Sequence, residues 1–205
     1  KVLKPVRIYP GELCGYEGQG PTPIPVEEEP TQESVLDKTG GWVYDFGENN
    51  AGIFRLKIKG TPGQRIDIQC AEMVRNDKPD YSNWTFFPTG HACPDGYMQR
   101  DIYIVGSEEE EIFEPMFTYH GFQYLYVSGI TEEQATEDLL TFVVMSSDLA
   151  ERGEFTCSDE MANRIYEIAR RSDISNFYYI PTDCPHREKL GWTNDAMSST
   201  EHILY

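Results

Sequence analysis

The sequence predicts a mainly β protein: an antiparallel β-sandwich with a short helical segment after it. Three observations carry that expectation. Runs of alternating apolar and polar residues recur from Trp42 onward, the period of strands with one buried face. No stretch before residue 150 shows a helical period. After Cys157 the period becomes that of an amphipathic helix. These changes divide the chain into an extended arm or interdomain linker over 1–36, a β-sandwich over 37–149 and a helical segment over 150–205.

Pro5, Pro10, Pro21, Pro23, Pro25 and Pro30, with four glycines among them, give the arm an extended, unpaired character. The tail of a preceding β-domain would look the same. In Ile53 to Lys59, Phe54, Leu56 and Ile58 share one face, with Arg55, Lys57 and Lys59 on the other. Ile66, Ile68 and Cys70 alternate in the same way with Arg65, Asp67 and Gln69. Both are expected as half-buried antiparallel strands joined by a Gly60-Thr-Pro-Gly63 turn. Further strands are expected over Tyr97–Val105, Phe122–Val127 and Leu139–Met145, the last two apolar on both faces as central strands are. Between about 74 and 96 a long loop is expected, carrying Trp84, Phe86, Phe87, His91 and Cys93. Ser158 or Thr156 is placed to cap a helix whose stripe is Met161, Ile165, Ile168 and Ala169 and which ends before Pro181. From Ala196 the chain looks helical again.

A length of 205 residues suits one large or two small domains. With 35 acids against 17 bases the net charge is −18, which disfavours nucleic acid and anionic membranes as partners. Glu27-Glu28-Glu29 and Glu108 to Glu111 fit solvated loops. Aromatic content of 13% suits a sugar-binding protein and suits a large β-domain equally. Cys14, Cys70, Cys93, Cys157 and Cys184 are odd in number and irregularly spaced, so mostly free, buried thiols are expected rather than a disulfide framework. No apolar run approaches the roughly 18 residues of a membrane span. The chain shows no signal peptide, yet it starts at Lys1 rather than Met. It therefore looks like a piece of a longer protein whose N-terminus could have carried an export signal, and its compartment stays open.

Chemistry concentrates in Pro181 to Asp195. This stretch packs Asp183, Glu188 and Asp195, the cations Arg187 and Lys189, and the indole of Trp192 into a segment broken by Pro181, Pro185 and Gly191. Carboxylates that bind hydroxyls and move protons, beside a flat ring for a sugar's C–H face, are what a carbohydrate site needs. Glu188 is the candidate general acid. Asp183 and Asp195 favour its protonated form by like charge, as does desolvation beneath Trp192, whereas Arg187 and Lys189 oppose it. From residue types alone, a plain salt-bridge loop explains Glu188 equally well. Asp183 and Asp195 are candidate acceptors for sugar hydroxyls. Asp195 also suits the cap of the helix at Ala196, and Arg187 suits an ion pair with Asp183. Trp192 is a stacking platform or an indole wedged between loop and helix.

Asp183-Cys-Pro-His-Arg-Glu-Lys-Leu-Gly-Trp-Thr-Asn-Asp195 resembles the signature loop of the bacterial α-L-rhamnosidases, glycoside hydrolases with an (α/α)6 barrel. Tyr44-Asp-Phe-Gly-Glu-Asn-Asn-Ala-Gly52 and Phe117-Thr-Tyr-His-Gly-Phe-Gln-Tyr124 resemble the β-domain that precedes that barrel. Many members carry Gln at His186 and Gly at Asn194; neither departure touches an acid. The resemblance implies a concanavalin-like (jelly-roll) sandwich followed by the first one or two helices of a truncated barrel. It also implies inverting hydrolysis of terminal α-L-rhamnosyl linkages in rhamnose-containing oligosaccharides, polysaccharides or glycosides, with no cofactor. Glu188 is then the acid, and Asp183, Arg187, Asp195 and Trp192 hold the sugar. The family's general base is a glutamate on a much later barrel segment. No residue here matches it, so this chain by itself is expected to be inactive, with Ile165, Ile168 and Leu204 lacking barrel partners.

Other readings carry less. A non-catalytic carbohydrate-binding or structural module is the main rival, since most of the chain is sandwich. A hydrolase of similar architecture acting on another sugar is a further one. Cys184 and His186 with His91 and Cys93 lack zinc-site spacing, and Cys184–His186 is a poor nucleophile–base pair. Gly11 to Gly15 and Gly47 to Gly52 lack a following helix and so cradle no phosphate. His120 is expected as a packing residue.

Overall fold

The computed structural model describes residues 1–12, 40–80, 99–150 and 153–203. Most of the expected arm, the aromatic part of the 74–96 loop, Cys14, Cys93 and Leu204 lie outside them. The organising element is β3, a 19-residue strand over Gly41–Lys59. Its first part pairs with β2 (Arg7–Gly11) on one side and β9 (His120–Ser128) on the other. Its second part pairs with β10 (Leu140–Val144) and β8 (Glu110–Phe113). Between Asp45 and Asn50 the register with β9 shifts. There Gly47 adopts a left-handed φ of 74°, with its N–H donating to Asp45 Oδ1 at 2.8 Å. A glycine enters that region without a Cβ penalty, so the strand can turn from one layer into the next.

One layer is thus β2, the first part of β3, β9, β4 (Arg65–Ala71) and β7 (Arg100–Ile104). The other is β1 (Val2–Leu3), β10, the second part of β3 and β8. All these pairings are antiparallel, as expected. Tyr44, Ile66, Ile68, Leu125 and Val127 of the first layer join Phe54, Leu56, Ile58, Leu140 and Phe142 of the second in one core. The rings of Phe122 and Phe142 stack at 3.8 Å, and Phe46 meets both edge-on. Burying each such ring contributes about 1.5–3 kcal/mol.

Several expectations need correction. Residues 2–3 and 7–11 are not a free arm: they hydrogen-bond to β10 and β3 as edge strands. Ile53–Lys59 alternates as expected, but β3 and β4 are not a hairpin, because β9 lies between them. The Gly60–Gly63 turn therefore joins one layer to the other. β4 is also not half-buried, since Asp67 and Gln69 are 7% and 2% exposed. Asp67 is compensated by the buried Arg100, whose Nε donates to Oδ1 at 3.0 Å, and by Arg65, whose Nε donates to Oδ2 at 2.9 Å. A short hairpin of β5 (Met73–Arg75) and β6 (Lys78–Asp80) occupies the start of the expected long loop. Glu110 and Glu111 open β8 rather than a solvated loop; Glu110 pairs with Lys57, and Glu111 accepts from Tyr103 and from the Gly106 N–H.

α1 spans Glu160–Ser175, capped by Asp159, whose carboxylate accepts from the N–H groups of Met161 (2.8 Å) and Ala162 (3.3 Å). The cap therefore lies one residue beyond Ser158 and three beyond Thr156. Asp outranks Thr as a cap and equals Ser, and the acid adds charge at the positive end of the helix. After α1 a tight hairpin, β11 (Phe177–Tyr178) and β12 (Ile180–Pro181), leads into the signature loop. α2 follows over Thr193–Ile203, opening three residues before Ala196. His120 is buried, with Nε2 2.7 Å from Asp101 Oδ2.

Candidate active site

The loop from Asp183 to Leu190 is closed by its own first residue. The Asp183 N–H donates to the Leu190 carbonyl at 3.0 Å, and the Leu190 N–H returns to Asp183 Oδ1 at 2.9 Å. The Cys184 thiol sits inside the ring, its S–H donating to Asp183 Oδ2 at 3.0 Å while Sγ accepts the Glu188 N–H at 3.2 Å. Burial first, and the hydrogen bond to Asp183 second, push this thiol above its usual pKa. It is thus a protonated donor rather than a nucleophile.

On the outer side of the ring, Glu188 is gripped through both carboxylate oxygens. Arg187 Nη2 lies 3.1 Å from Oε1 and Trp192 Nε1 donates to Oε2 at 2.9 Å. The Glu188 side chain is 13% exposed. Arg187 therefore pairs with Glu188, not with Asp183. Trp192 is 53% exposed, so its indole is not a buried wedge and one face stays open to a planar partner. Asp183 and Asp195 meet elsewhere, in a cleft of about 270 Å³ between the end of α1 and the start of α2. Asp173, Asn176, Thr182 and Asn194 line it with them. Asp195 lies inside the first turn of α2 rather than at its cap. The five candidates thus form two adjoining groups: an acid held by a cation and an indole, and a polar cleft with two carboxylates.

Sequence reasoning missed Asp173 and Asn176, which lie on α1 and its C-cap with no motif around them, and the clamping role of Cys184. It also missed how the loop is seated. Pro185 and His186 rest on Gly121 of β9, where an added Cβ would lie 2.8 Å from Pro185 Cγ and 3.1 Å from His186 Cβ. The Lys189 ammonium donates to the Tyr119 carbonyl and lies 4.9 Å from the Tyr119 ring centroid. Tyr119 in turn stacks on Tyr178 at 4.2 Å. His186 Nδ1 is 3.2 Å from Glu72 Oε2 but lacks hydrogen-bond alignment. Burial, with Arg187 adding to it, lowers the His186 pKa to about 4, so the ring is neutral near neutrality and this contact is no ion pair there. Cys184 and His186 thus face different partners. The exposed Phe117 and the buried Gly121 both lie in the glycine-aromatic stretch, the one legible signal for this contact.

An acid beside an indole, with a carboxylate-lined cleft next to it, on a sandwich that runs into helices, is the architecture of a glycoside hydrolase. The family model described as the bacterial alpha-L-rhamnosidase concanavalin-like domain matches residues 36–146. The model for the 6 hairpin glycosidase domain of the same enzymes matches residues 150–205. The chain belongs to the bacterial α-L-rhamnosidase family. An alpha-L-rhamnosidase of Formosa agariphila is 36% identical over 168 residues, 81% of this chain and 17% of that protein. One from Streptomyces avermitilis is 32% identical over 86% of this chain, which spans 16% of it. Among solved structures, the alpha-L-rhamnosidase from Dictyoglumus thermophilum matches with a TM-score of 0.74 at 30% identity, over 100% of this chain and 19% of that one. The Streptomyces avermitilis enzyme, solved in complex with L-rhamnose, matches with a TM-score of 0.70 at 25% identity, over 99% and 17%.

Proposed function

We propose that the protein to which this chain belongs hydrolyses terminal α-L-rhamnosyl linkages by single displacement with inversion. Glu188 gives its proton to the departing glycosidic oxygen as the bond from C1 breaks. Water attacks C1 from the opposite face, and a second carboxylate, supplied from outside this chain, takes the water's proton. Asp183 and Asp195 accept hydroxyl hydrogen bonds in the cleft, Arg187 orients the acid and contacts the sugar, and the open indole face of Trp192 packs on the ring's C–H groups. The substrate is a rhamnose-containing oligosaccharide, polysaccharide or glycoside, and the described segment alone does not turn over. The domains divide near residues 36 and 149.

The observation that carries this reading is the grip on Glu188: both oxygens are held at the mouth of a loop closed by Asp183 and Cys184. A general acid must be oriented more accurately than a surface salt bridge requires. The test is hydrolysis of an α-L-rhamnopyranoside with a poor leaving group by the full-length protein and its Glu188→Gln variant. Loss of several orders of magnitude in kcat is expected. Absence of turnover in the unaltered protein, with rhamnose still retained by a loop variant, would instead favour a carbohydrate-binding module.

A further inference from the structure

We infer that the β-domain seats the acid: Lys189 and Gly121 are positioning residues for Glu188, acting through the contact between the signature loop and the start of β9. This rests on the reading of Glu188 as the general acid. Lys189 follows Glu188 directly and has a left-handed φ of 54°. For a residue with a Cβ that backbone costs about 1 kcal/mol, and it persists only where surrounding contacts demand it. Here the demand is visible, because the conformation turns the Lys189 ammonium back onto the Tyr119 carbonyl and over the Tyr119 ring. Three residues earlier the loop touches the same strand again, with Pro185 and His186 against Gly121. Glu188 lies between these two contacts. Its backbone N–H is bonded inside the loop, so the carboxylate's position follows the seat of the loop as a whole. A ring carbon of Pro185 cannot yield as a flexible chain end does, so a methyl group at Gly121 must lift the loop by tenths of an ångström.

Misplacing an acid affects the proton transfer and spares sugar binding, so the readout is the leaving group. Lys189→Met keeps the stem and loses both the hydrogen bond and the cation–π contact; Gly121→Ala lifts the loop with Lys189 intact. Each is made in the full-length protein and measured on an alkyl and on a nitrophenyl α-L-rhamnopyranoside, beside Glu188→Gln. We expect kcat on the alkyl substrate to fall about tenfold or more, with a much smaller fall on the nitrophenyl one and little change in KM. Lys189→Arg should recover part of the loss. Equal losses on both substrates, or none, in folded variants while Glu188→Gln shows the leaving-group dependence would overturn the positioning and leave the acid standing. If Glu188→Gln itself shows no such dependence, the acid assignment fails and the inference with it. Should Gly121→Ala misfold, Lys189→Met, which adds no bulk, decides between these outcomes alone.

Discussion

At the scale of single residues, the site depends on a thiol that does no chemistry. Cys184 links the carboxylate of Asp183 to the backbone of Glu188, donating to one and accepting from the other. Cys184→Ala leaves the Glu188 N–H without its acceptor in a partly buried setting, a loss of about 1–3 kcal/mol. Cys184→Ser keeps a donor and an acceptor at shorter reach and should retain most of the stability. Urea denaturation of the two variants checks this, and equal stabilities would show that the clamp contributes nothing. Cys70 is different: it lies fully buried in the core, where desolvation raises its pKa well above that of a free thiol, and it serves as packing.

At the scale of elements, the seat of the signature loop carries a pH dependence. His186 is neutral when packed on Gly121, with its pKa near 4 against 6.5 for a free histidine. The lowered value arises from burial and from Arg187 and Lys189, opposed by Asp183. Between these two values the unfolded chain binds the proton that the folded chain refuses. Stability is therefore full above about pH 6.5, falls as the pH drops, and has lost up to about 3 kcal/mol from this residue below pH 4. His186→Gln removes the proton-binding group. Denaturation midpoints measured from pH 7 to 4 should decline less steeply in the variant; parallel slopes would count against a desolvated His186.

At the scale of the molecule, the helical segment is packed on one side only. α1 has no buried residue, and Met161, Ile165 and Ile168 are 62%, 60% and 68% exposed along one stripe. An apolar stripe of that length on a helix is a contact surface. As an isolated polypeptide the chain is expected to self-associate through it. Sedimentation velocity should show concentration-dependent dimers or larger species, relieved by Ile165→Glu with Ile168→Lys. A strict monomer at high concentration, with strong hydrogen-exchange protection across 158–203, would contradict this.

Much of this was legible in the residues. The alternation of Phe54, Leu56 and Ile58 determined a strand with one buried face, and the stripe from Met161 determined a helix, because both signals are local and depend only on the period of the backbone. The signature loop was legible for the same reason, its residues being contiguous. Tertiary structure alone decided which strands are neighbours. β9 separates β3 from β4, and residues 2–11 close the edges, because pairing across the chain is chosen by the shared core rather than by proximity in sequence. It also decided that Asp67 and Gln69 are buried, since a polar face is covered only when a distant Arg100 supplies the compensating charge. The partner of Arg187, the open face of Trp192 and the seat of the loop on Tyr119 and Gly121 belong to the same class. Each depends on the meeting of segments far apart in the chain or on a backbone turn such as that at Lys189, and neither has a periodic signature.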